Sequence, residues 1–195
     1  MKSAARRVAG VATVSAIAIT AVTTAAGAAF AQSTAFADAH GDMKQGADIR
    51  KVRVTNGEEA LRVNVRHRDL VKSFRSGSSI AVFIDTDAAR SGPEYVFQGA
   101  TFEGGDYALL PAKGFKADGN RQVPLHGGSY LMKLDYVEDV ARISIDQVVI
   151  GSPDKVRVEV KTGAELLPPG STTPGQNEVD WLGTPKSFTP YVAKG

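Results

Sequence analysis

From Gly41 onward, apolar residues recur at every second position, and this period of two confines the chain to β-structure. Val52 and Val54 alternate with Lys51, Arg53 and Thr55, and Leu61, Val63 and Val65 alternate with Arg62, Asn64 and Arg66. Successive side chains of a strand point to opposite faces, so each segment has one face for a core and one for water. The Asn56-Gly57 pair between them predicts a hairpin, with Glu58 and Glu59 lengthening its loop. Residues 80–84 differ. Ile80, Val82 and Ile84 share one face, and Ala81 and Phe83 make the other apolar too, as in a central strand buried on both sides.

Further strand segments are predicted over 95–102, 107–110, 130–136, 141–145 and 156–160. Asp69, Leu70 and Phe74 interrupt the period and predict one short helical turn capped by Asp69. Residues 111–128 read as a long exposed connection, and 164–178 as a Pro/Gly-rich loop. Hydrophobic residues return in 179–195, which is expected to pack back on a domain spanning 48–163. Many short strands at turn-punctuated spacing define the expected fold class: all-β, an antiparallel β-sandwich of jelly-roll type.

Residues 1–31 stand apart. Lys2, Arg6 and Arg7 precede an uncharged Ala/Val/Ile/Thr-rich run, and Ala29-Phe30-Ala31 closes it with a small-x-small pattern. This is the form of a signal peptide, so the chain is expected to be exported and extracellular. An uncleaved anchor and a helix of the fold are the competing readings, since the run is long enough to span a bilayer. Ala35-Phe36-Ala37 repeats the pattern and offers a second cleavage point. Residues 32–47 are expected to form a flexible start to the mature protein.

The leader also dominates the charge. It holds three of the 23 basic residues and none of the 21 acidic ones, leaving 20 against 21, a net charge of −1. The whole-chain pI near 8.8 is therefore no argument for a nucleic-acid partner, and no membrane association is expected after cleavage. The chain has no Cys, which excludes a disulfide framework, a thiolate metal site and a Cys nucleophile.

Four groups of residues bear chemistry. Asp85, Asp87 and Glu94 could offer hard oxygen ligands to Ca²⁺, although Ala89 and Arg90 break the EF-hand pattern; the alternative is that these carboxylates bond backbone amides. No other cofactor is indicated. Arg53, Arg62 and Arg66 lie on the polar face of the hairpin and could bind a polyanion, or form an ordinary solvated face. Trp181, Tyr107 and Tyr95 are the rings that could stack against a sugar, with core packing as the competing role. His126-Gly127-Gly128-Ser129 is similar to the oxyanion loop of esterases, yet no G-x-S-x-G elbow accompanies it.

Ile84-Asp85-Thr86-Asp87 followed by Gly92-Pro93-Glu94-Tyr95 resembles the strand and loop of DOMON-like and family-nine-like carbohydrate-binding modules. Asp48-Ile49 and Ile143-Ser144-Ile145, with Gly151-Ser152-Pro153, fall in corresponding places, so the resemblance spans about residues 46–163. It implies a sandwich that binds sugar or haem in some members and sometimes holds a structural calcium. The single Trp departs from the aromatic clamp of the sugar-binding members, and Met132 with His126 or His67 lacks a haem-ligand spacing. The leading expectation is a secreted non-enzymatic binding domain, with carbohydrate the first ligand class. A structural or inhibitor-like protein-interaction domain is second, and an extracellular hydrolase third.

Overall fold

The computed structural model describes residues 32–38, 41, 43, 46–165 and 177–195. Residues 1–31, read from sequence as a signal peptide, lie outside the described residues. Two antiparallel sheets pack face to face. The first has the order β1-β2-β3-β8-β7, from β1 (Gln32–Ala37), β2 (Ile49–Asn56), β3 (Ala60–His67), β8 (Val140–Asp146) and β7 (Tyr130–Asp135). The second runs β10-β9-β4-β5-β6, from β10 (Asn177–Trp181), β9 (Lys155–Glu165), β4 (Ser79–Asp85), β5 (Tyr95–Ala100) and β6 (Tyr107–Pro111). A short β11 (Val192–Ala193) also pairs with β9.

The alternation read from sequence sets which residues meet between the layers. Val52, Val54, Val63, Val65, Ile143 and Ile145 face Ile80, Val82, Ile84, Phe97, Val158 and Val160 in one continuous buried core. Strand β4 lies between β9 and β5, and its second apolar face is covered as well, by a separate cluster around Phe83. This accounts for the absence of a polar face in residues 80–84.

Two segments differ from expectation. Residues 32–47 contain β1, which extends β2 in register from Gln32↔Asn56 to Ala37↔Lys51. Its composition carries little strand signal because it is an edge with mostly exposed side chains. The turn near residue 70 is a 3-10 turn over Phe74–Ser76, capped by Ser73 and ended by left-handed Gly77. Leu70 is buried and Phe74 is exposed, so the pair does not form one face of a helix.

The C-terminal segment lies along the outer edge of β9. Trp181↔Lys161 places β10 at one end of that strand and Val192↔Val156 places β11 at the other. Buried Asn56 then ties the tail to the hairpin turn, donating from Nδ2 to the Val192 carbonyl while its Oδ1 accepts from Gln147 Nε2.

Candidate functional site

Register divides the outer face of the second sheet into two unlike halves. Across one half run Glu159, Phe83, Val96 and Leu110 on successive strands. Large apolar side chains there need cover, and Phe115, Phe188 and Trp181 supply it. Phe83 meets Phe115 edge-on at 5.3 Å and stacks on Trp181 at 6.1 Å with an interplanar angle of 14°.

Across the other half the outward residues shrink. One rung is Lys161, Ala81, Gln98 and Ala108, and the next is Gly163, Ser79 and Ala100. Short side chains on four neighbouring strands leave a groove of about 800 Å³. Its floor carries methyl groups, Gln98, Gln122 and Asn177 bring side-chain amides to it, and Lys161 lines it. Gly163 leaves room for a Cβ without a clash: one there would meet its nearest neighbours, the Glu178 carbonyl and Ser79 Oγ, in ordinary contact at 3.5 Å. Sequence reasoning missed this site. Its signal, small residues at outward positions of β4, β5, β6 and β9, exists only once the register is known.

The three predicted rings do not form one platform. Tyr107 lines the groove, while its ring stacks on Phe97 at 5.7 Å at the edge of the core. Tyr95 packs against the core at the far end of β5, because Tyr95 pairs with Pro111 and Gly99 with Tyr107. Trp181 belongs to the covered half, with the Lys161 ammonium 5.4 Å from its ring centroid.

The acidic loop after β4 is internally satisfied. Asp85 is fully buried; its Oδ2 accepts from Arg157 Nε at 2.8 Å and Nη2 at 2.6 Å, and its Oδ1 from the Asp87 amide. Asp87 Oδ1 accepts from the Ala89 amide, and Glu94 Oε2 from the amide and hydroxyl of Thr86. The Arg157 guanidinium is held in place by the Phe188 and Tyr191 rings, each 4.7 Å away. These bonds fix the β4–β5 connection, and among the described residues no three acidic or imidazole groups are placed to share a metal ion.

Arg53, Arg62 and Arg66 are all exposed on the outer face of the first sheet. His126 is exposed in a turn at φ 50°, and Ser129 donates directly to Asp146 Oδ2 at 3.0 Å, without an imidazole between them. His67 is buried, its Nδ1 3.0 Å from the Ala47 carbonyl, and burial lowers its pKa to about 4. Glu159 is a strongly perturbed acid. It is fully buried with neither carboxyl oxygen hydrogen-bonded, and burial pushes its pKa up to about 8. The charge of Asp38 adds to that shift, and the nearby Ser187 N–H, which donates to the Thr184 carbonyl, opposes it weakly. No protein-family model matches this chain, and no curated protein matches it either.

Proposed function

We propose that the chain is a secreted, non-enzymatic binding domain and that carbohydrate is the ligand class it takes, in the groove over the second sheet. Export rests on the composition of residues 1–31. The observation that carries the ligand class is the groove itself. At about 800 Å³ it falls in the range of roughly 300–1,000 Å³ common to small-molecule sites. Side-chain amides both donate and accept, as neighbouring sugar hydroxyls require, and Gln98, Gln122 and Asn177 supply them above a floor of small apolar groups. With Trp181 committed to packing, such a site holds its ligand by hydrogen bonds more than by ring stacking. The side-by-side crossovers β3 to β4 and β8 to β9, which link adjacent strands of one sheet to adjacent strands of the other, support the jelly-roll description and the resemblance to carbohydrate-binding modules.

Glycan-array binding by the full chain, with Gly163→Phe as the control, tests this. The Cβ of the new side chain makes only ordinary contacts at 3.5 Å and its ring enters the groove, so binding is expected to fall about tenfold or more while the melting temperature holds. Gln98→Ala removes a hydrogen-bonding arm and is expected to weaken binding less. Absence of binding to uncharged glycans, or uncharged-glycan binding that Gly163→Phe leaves intact, overturns the reading.

A further inference from the structure

The outer face of the first sheet carries a concentration of positive charge that the near-neutral composition conceals. Cross-strand pairing sets Lys51 opposite Arg66, and aligns Arg53, Asn64, Arg142 and Lys133 in the next rung. The third rung holds Thr55, Arg62 and Ser144. Of these six cations only Arg142 is neutralised, by Asp135 at 2.9 Å and by Glu138. Lys51, Arg53, Arg62, Arg66 and Lys133 are exposed, and none of them forms an ion pair among the described residues. Like charges directly opposite each other destabilise a sheet, so this arrangement has a folding cost that its own residues do not offset.

We infer that this face binds an acidic polysaccharide, at a site separate from the groove. Adjacent strands lie about 4.8 Å apart and same-face residues along a strand about 7 Å, so the cations form a flat grid that a linear polyanion can cross in extended form. Guanidinium groups recognise sulfate and carboxylate by paired N–H donors. Asn64 lies between Arg53 and Arg142, and Thr55 and Ser144 flank Arg62; these groups offer hydrogen bonds to hydroxyls, which a polysaccharide has between its charges. Among the described residues the rungs contain no aromatic ring on which a base could stack, and the exposed large apolar side chains beside them are Leu131 and, in the β7–β8 turn, Val137. These features favour a sugar polyanion over single-stranded nucleic acid or a lipid surface.

The test is retention of the full chain on immobilised heparin, followed by titration with heparin and neutral dextran over a salt series. Binding to heparin and not to dextran is expected, with affinity falling steeply as salt rises. The triple variant Arg53→Gln, Arg62→Gln, Arg66→Gln is expected to lose about tenfold or more in affinity and to flatten the salt dependence by about one charge per residue removed. These side chains are exposed and their removal relieves like-charge repulsion, so its melting temperature should equal or exceed that of wild type. Lys113→Gln, Lys116→Gln, Arg121→Gln removes three exposed cations from the connection over the other sheet and should leave heparin binding unchanged. Gly163→Phe should also leave it unchanged, which separates this site from the groove. Flow-through on heparin, or equal losses from the two triple variants, overturns the inference. Tighter binding to DNA or to anionic-lipid vesicles than to heparin overturns the assignment to polysaccharide.

Discussion

Replacing Glu159 by Gln should make the protein more stable, and the gain should grow with pH. The carboxyl group sits under the C-terminal segment with no hydrogen bond to either oxygen, and its pKa is raised to about 8 from 4.5. In the unfolded chain it ionises near pH 4.5, whereas the folded protein keeps the proton until about pH 8. Between those values the unfolded state is favoured by about 1.4 kcal/mol per pH unit, so wild type loses stability as pH rises through the window. The full penalty approaches about 5 kcal/mol above pH 8, and relaxation of the site reduces it to about 2–5 kcal/mol. Gln has the same shape and no charge to bury. Denaturant titrations from pH 5 to pH 9 should find the two proteins within about 1 kcal/mol at the acid end and the variant ahead by several at the alkaline end. A stability difference that does not change with pH would refute the assignment of a neutral buried Glu159.

Four further outcomes follow from the packing. His67 should produce the opposite slope: its folded pKa of about 4 lies below the usual 6.5, so stability falls as pH drops through that interval, and His67→Gln should flatten the acid limb of the same titrations. Asp85→Asn should destabilise by about 2–4 kcal/mol in a chemical melt, because Arg157 loses its charged partner against a wall of rings. Excess Ca²⁺ or chelator should leave wild-type melting unchanged, since Asp85, Asp87 and Glu94 are already occupied by N–H and O–H donors. Trp181→Ala should cost about 2–3 kcal/mol by opening the cluster with Phe83 and Phe115, so its effect on any ligand must be read against that loss.

How much of this was legible in the sequence depends on whether the signal was local. The two apolar faces of 80–84 announced a central strand because β4 is covered by the core on one side and by the Phe83 cluster on the other. The hairpin at Asn56-Gly57 was legible for the same reason, its pattern and turn chemistry being contiguous. Strand β1 was not, because Ser33, Thr34 and Ala35 are exposed on an edge and need no apolar alternation. Parity alone placed Arg53, Arg62 and Arg66 on one side of the hairpin. Only the pairing of β3 with β8 and of β8 with β7 adds Arg142 and Lys133 to that face. The groove was the least visible feature. Ala81, Ala100, Ala108 and Gly163 carry no chemistry of their own, and they matter only because register sets them side by side.

The central claim is that the groove is the ligand site, and amide chemical-shift mapping during oligosaccharide titration tests it most directly. Shifts concentrated at Ala81, Gln98, Ala108, Lys161 and Gly163, on the outer face of the second sheet, are the predicted result. With uncharged oligosaccharides, saturable shifts confined to other surfaces, or no shifts with any of them, would contradict the account.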